Sequence, residues 1–96
     1  MKGATYDWDQ TGGGALGGAG TWDATNINWW NGTSDIAWPN LNDTARFGGT
    51  AGGVVTLGSA VNAGGLIFNT RGYSIAGGGN ALTLSGGATS NIAVNG

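Results

Sequence analysis

Cysteine and histidine are absent, and all five acidic residues (Asp7, Asp9, Asp23, Asp35 and Asp43) are aspartates, so glutamate is missing as well. Without cysteine, no disulfide framework holds the fold. Without His, Cys or Glu, a general base near neutral pH has to be an Asp with a strongly raised pKa, or Lys2. The chain is therefore not expected to be an enzyme. Charged residues make up 8% of the 96 positions, against roughly 25% in an average soluble domain. Disorder driven by charge is excluded, because it combines low hydrophobicity with high net charge. Three basic residues, a net charge of −2 and a pI near 4.3 leave no basic surface for nucleic acid or anionic lipid. There is one Pro and no strict three-residue Gly period, which excludes a collagen helix. No apolar run is long enough to insert in a membrane, and the start MKGATYDWDQ has no apolar targeting core.

What is present is glycine, at 22 positions, with Thr, Val, Ile, Ala and Asn. β-Branched residues and turn formers in this abundance predict an all-β chain of one domain. Two stretches differ in chemistry. Residues 1–47 hold all five Trp and all five Asp, and residues 48–96 carry Arg71 as their one charged side chain. The first stretch is expected to be a cap or the first coils, and the second a set of Gly-rich coils.

In the second stretch, apolar residues fall at i and i+2: Val55/Leu57, Leu66/Phe68, Tyr73/Ile75, Leu82/Leu84 and Ile92/Val94. A period of two places each pair on one face of a strand. Gly64-Gly65, Gly72, Gly77-Gly78-Gly79 and Gly86-Gly87 separate them, and glycine lets the backbone turn at positive φ. Similar positions recur at comparable intervals, from Leu57 to Ile75, from Ile75 to Val94 and from Phe68 to Leu84. That recurrence predicts a parallel β-helix, or β-solenoid, of a few coils stacked about 4.8 Å apart. The alternative is an antiparallel β-sandwich, whose turns also recur at short intervals. In the first stretch, Thr5–Asp9, Gly20–Asp23, Ile27–Trp30 and Thr44–Phe47 read as strands, and the Gly-rich run from Thr11 to Gly20 reads as a mobile loop.

Several motifs invite chemical readings. Gly12-Gly13-Gly14-Ala15-Leu16-Gly17 fits G-x-G-x-x-G in form, but no helical period follows, as a dinucleotide site requires. Gly17–Asp23 approaches a calcium-binding nonapeptide, with Trp22 where that motif needs Asp. No cofactor is expected. A structural calcium is the one metal considered, with Asp23, Asp35 and Asp43 as its candidate oxygen ligands. Asp7 and Asp9 share a strand face and imitate a carboxylate pair; a hydrolase using them, or Asp23 and Asp35, is a distant third reading of the chain. A solvated strand edge is the preferred reading of the first pair, because carboxylates rarely bury unpaired. Asn31-Gly32-Thr33 and Asn42-Asp43-Thr44 match glycosylation acceptors but read as turns.

Trp8, Trp22, Trp29, Trp30 and Trp38 pose the main functional question. Large rings in a chain of small residues serve either as a ligand platform or as bulk that covers the open end of a coil stack. Burying one Trp removes about 150–250 Å² from water, worth at most about 4–6 kcal/mol. A core of Ala, Val and Leu needs that contribution, so packing or capping is preferred. Alternation still turns one ring of Trp29/Trp30 outward, where a partner would bind.

The stretch GGVVTLGSAVNAGGLIFNTRGYSIAGGGNALTLSGGATSNIAVNG resembles the autotransporter-associated β-strand repeats of bacterial surface proteins. The preceding WD…NINWWNG…PNLNDTARFGGT resembles the Trp-rich segment that opens such regions. Asp43–Phe47 and Gly64–Asn69 carry the closest local likeness. The resemblance implies a right-handed parallel β-helix, extracellular or at a bacterial cell surface, in a passenger or adhesin-like role. The resemblance within these 96 residues does not extend to a signal peptide, a long repeat array or a translocator barrel.

Two functions follow as expectations. The first is a structural module of a surface fibre or adhesin stalk. It would stack through the edge formed by Ile92, Ala93, Val94 and Asn95 on further repeats or on identical subunits. The second is a carbohydrate-binding module that uses exposed Trp on host or environmental glycans.

Overall fold

The computed structural model describes residues 4–10, 12–13, 16–40, 43–84 and 91–94, the last four by their backbone. The described residues are all-β, and no helix among them is long and apolar enough to cross a membrane. The strands are β1 (Thr5–Trp8), β2 (Gly20–Trp22), β3 (Trp29–Trp30), β4 (Asp35–Ile36), β5 (Thr44–Phe47) and β6 (Val54–Leu57), then β7 (Val61–Ala63), β8 (Gly65–Phe68), β9 (Ser74–Ala76), β10 (Leu82–Leu84) and β11 (Asn91–Val94). They form a six-stranded sheet in the order β11-β8-β5-β1-β3-β4, a three-stranded sheet β2-β6-β9 and a two-stranded sheet β10-β7.

Most of the long-range pairing among the described residues is parallel. β1 pairs with β5, β5 with β8, β8 with β11, β2 with β6, β6 with β9, and β7 with β10. Antiparallel pairing is confined to β1–β3 and β3–β4. The sandwich expectation, which needs antiparallel sheets facing each other, draws no support from this pattern. Chain order explains the arrangement: β5-β6-β7 visit the three sheets in turn, and β8-β9-β10 visit them again in the same order.

The registers correct the spacing read from the sequence. Phe47 sits on Phe68, Val55 on Ile75 and Val61 on Leu82. Each of these separations is longer than any of the three intervals chosen from apolar recurrence, because those intervals joined residues that are not register partners. Ile75 and Val94 lie in different sheets, as do Phe68 and Leu84, and Leu57 pairs with Trp22, not with Ile75. The error has a simple cause. Every strand carries the same apolar alternation, so periodicity alone does not say which sheet a strand joins.

The inward rows explain the burial. Val55 and Leu57 are buried while Val54 and Thr56 are exposed, as alternation demands. Phe47 and Phe68 stack at 4.9 Å and 12°. Beside them, Ala45 and Leu66 form a second buried row. Two strands escaped the sequence reading. β4 is only two residues long, and β7 contains a single large apolar residue, Val61.

Glycine shapes the corners through close approach. A Cβ at Gly53 would lie 2.6 Å from the Ala19 backbone nitrogen. At Gly49 (φ +89°) it would collide with the Leu16 carbonyl. The stretch read as a mobile loop is tied to the sheets where it is described. Gly17 is buried and donates to the Trp8 carbonyl at 3.1 Å, and Gly18 donates to the Ala51 carbonyl at 3.1 Å.

Candidate functional site

Four of the five Trp of the first stretch converge in one buried cluster. Trp8 comes from β1, Trp22 from β2, Trp29 from β3, and Trp38 from the segment after β4; all four are buried. Trp29 and Trp38 lie 4.6 Å apart, Trp22 and Trp29 5.0 Å, Trp22 and Trp38 5.1 Å at 88°, and Trp8 and Trp29 5.2 Å at 70°. Phe47 closes the cluster toward the next pass, 5.5 Å from Trp29 and 5.6 Å from Trp22. Tilted and edge-to-face pairs of this kind add about 0.5–1.5 kcal/mol each beyond area burial.

Their polar ends are treated differently. Trp8 Nε1 donates to the Gly18 carbonyl at 2.8 Å, and Trp38 Nε1 donates to the Asn62 carbonyl at 2.8 Å. The Trp22 and Trp29 indole nitrogens are buried with no acceptor among the described residues. Leaving such a donor unpaired costs about 1–3 kcal/mol, which the surrounding ring contacts offset.

Trp30 is the outward ring of the pair. It is half-buried, with no ring contact to another aromatic among the described residues. Across the sheet it neighbours Asp7, which in turn neighbours Arg46. Arg46 donates from Nε and Nη2 to the two Asp7 oxygens at 2.5 and 2.9 Å. The Asp7 carboxylate raises the Arg46 pKa above its ordinary value.

The aspartates do not behave as the sequence reading had them. Asp7 and Asp9 are not a solvated edge. Asp7 is ion-paired with a side chain only 16% exposed, and Asp9 is fully buried. Asp9 accepts from Gly12 N at 2.9 Å, and Asp35 accepts from Gly13 N at 2.6 Å. The fold thus brings Asp9 to Asp35, a pairing between distant stretches that strand spacing does not offer. Burial first, and then the Asp9 carboxyl, push the Asp35 pKa up against the lowering effect of Gly13 N–H.

The proposed calcium ligands do not converge. Asp23 Oδ1 accepts from Thr25 N and Asn26 N, which hold its pKa down against partial burial, and Oδ2 accepts from Asn26 Nδ2. Asp43 accepts from Ala4 N at 2.9 Å. Asp23 binds its own turn, whereas Asp35 and Asp43 accept from the distant Gly13 and Ala4 backbone, and no group of three or more potential metal ligands gathers among the described residues. Asn31 Oδ1 accepts from Thr33 N, Thr33 Oγ1 and Ser34 N, each at 2.9 Å, and so organises a turn. Asn42 lies outside the described residues, as does Asn95 at the expected stacking edge. Ile92, Ala93 and Val94 are in β11, paired with Leu66, Ile67 and Phe68.

Sequence reasoning missed two asparagines. Asn28 Nδ2 donates to the Thr21 carbonyl at 2.8 Å, and Asn40 Oδ1 accepts from Asn62 N at 2.6 Å. Asparagine in an Asn-rich chain reads as a turn former, and nothing local marks these two as different.

Fold and site together define an all-β chain of largely parallel-paired sheets with a buried aromatic cluster. In sequence it is similar to an adhesin. It is 43% identical over 84 residues to the adhesin BmaC autotransporter of Brucella suis biovar 1 (strain 1330), a match covering 80% of this chain. The chain spans about 2% of that protein's length. No family model matches the chain, and no solved structure matches it.

Proposed function

We propose that the chain is a structural segment of a bacterial surface adhesin, a right-handed parallel β-helix with a Trp-filled cap that builds a stalk by stacking coils. The observation that carries this reading is the repeated visit to the three sheets, in the same order and in parallel register. Similarity to an autotransporter adhesin supports an extracellular or cell-surface location. Stacked backbone ladders give such a segment length without metal, disulfide or catalytic group, which suits its composition. Antibodies against the chain should label intact cells that produce the protein, and external protease should remove the label. Labelling only after permeabilisation would refute the surface role.

A second reading, carbohydrate binding, rests on Trp30 alone. An outward indole beside the Asp7–Arg46 pair offers a stacking face next to a donor and an acceptor. Titration with polysaccharides should then quench tryptophan emission in the native chain and not in Trp30→Ala. Unchanged emission with every glycan removes this reading.

A further inference from the structure

The turn between β3 and β4 requires two residue types side by side. Asn31 N donates to the Ser34 carbonyl at 3.1 Å and closes the turn. Asn31 Oδ1 organises it from inside, since a short polar side chain at that position reaches the Thr33 and Ser34 amides. Gly32 follows at φ +105°, where any other residue is strained. The fold therefore places Asn directly before Gly, and residues 31–34 are all exposed. Among the described residues, no other asparagine precedes a glycine.

Such a pair can react with itself, because the Gly32 nitrogen reaches back to Asn31 Cγ through a small ring. Gly32 has no Cβ to crowd the attack, and a Cβ placed there would meet nothing within 4 Å. Among the described residues, neither Gly32 N nor Asn31 Nδ2 has an acceptor. The attacking and leaving nitrogens are both free. Elsewhere the amide nitrogens of Asn26, Asn28 and Asn80 are tied to Asp23, Thr21 and Leu57. The oxygen on which charge develops is held instead. Asn31 Oδ1 accepts from Thr33 N, Thr33 Oγ1 and Ser34 N, each at 2.9 Å. Donors about 2.7–3.1 Å from a developing oxyanion stabilise the tetrahedral intermediates of acyl transfer.

We infer that Asn31 is a self-modification site, where the turn's own donors assist its conversion to aspartate. Gly32 N gives its proton to solvent and bonds to Asn31 Cγ. The Cγ–Nδ2 bond then breaks, and ammonia leaves with a proton taken from solvent. Water opens the resulting cyclic imide. Cleavage of the new N–Cγ bond gives aspartate, and cleavage on the main-chain carbonyl side gives isoaspartate. Aspartate keeps the acceptor and strengthens its hydrogen bonds by charge, so the turn survives with one more negative charge. Isoaspartate lengthens the main chain between Trp30 and Asp35, which are register partners. The folded turn therefore favours aspartate.

The test is peptide mapping by mass spectrometry on the native chain at neutral pH, folded and unfolded in urea. An isoaspartate assay and circular dichroism accompany it. Conversion at Asn31 is expected to be about fivefold or more faster in the folded chain, the weight of one net hydrogen bond. Aspartate should form a larger share of the product there than in urea. Thr33→Ala removes one donor to Oδ1 and should slow the folded chain about fivefold. Conversion no faster in the folded chain than in urea overturns the inference, as does a folded Thr33→Ala chain that converts at the native rate. Should Thr33→Ala fail to fold, the folded-against-unfolded comparison of the native chain decides alone.

Discussion

At the residue scale, the four buried Trp are not equivalent. Trp8 and Trp38 anchor backbone carbonyls through their indole N–H groups, whereas Trp29 carries an unpaired donor. Trp8→Phe removes ring area and also strands the Gly18 carbonyl. Trp29→Phe removes comparable area but eliminates an unsatisfied group. Urea unfolding should therefore find Trp8→Phe the more destabilising by about 1 kcal/mol, the net worth of one hydrogen bond. Equal losses, or the reverse order, would show that ring packing alone sets these energies. The burial of large rings in a chain of small residues was legible from composition. Which rings carry a hydrogen bond was not, because Gly18 and Asn62 are brought to them by the fold.

At the element scale, the corners and the short strands carry the constraints. Gly53 lies so close to Ala19 that a methyl group has no room without moving backbone. Gly53→Ala should cost about 1–3 kcal/mol, as overpacking does, with the thermal midpoint as its measure; a neutral substitution would show that the corner relaxes freely. The joining of β4 to the loop after β1 depends on pH through Asp35. Its carboxyl is raised in the folded chain, so its contribution is full below the ordinary carboxylate value of 3.8 and is lost as pH rises through the raised value. Asp35→Asn keeps an acceptor for Gly13 N–H and removes the charge. The variant should flatten the stability profile across that window and be at least as stable as the native chain at neutral pH. A profile unchanged by the substitution would assign the dependence to other groups. Asp23 acts in the opposite sense, contributing above 3.8 and losing its contribution as pH falls through its lowered value.

At the scale of the whole molecule, protection should follow position in the stack. β5 has β1 and β8 on its two sides, and β6 has β2 and β9. Among the described residues, β9 and β10 have a strand on one side only. Hydrogen exchange should be slowest in β5 and β6 and faster in β9 and β10, since local opening is cheapest where fewest neighbours hold a strand. Uniform protection across all strands would mean that the passes open only together. Backbone groups of Thr21 and Asn62 are held by the Asn28, Trp38 and Asn40 side chains.

All-β character, most of the strands and the burial of large rings in a chain of small residues were determined by the sequence itself. Composition and the period-two alternation are local properties, and no partner is needed to read them. The outward turn of one of Trp29 and Trp30 was fixed by adjacency, though not which of the two. Tertiary structure alone decided the register that sets Phe47 on Phe68 and Val61 on Leu82, the meeting of Asp9 with Asp35, and the capture of Thr21 and Asn62 by asparagine and indole side chains. Each of these depends on which segments lie side by side. In a chain whose strands share one alternation, only the packing of its unequal side chains selects among the available pairings.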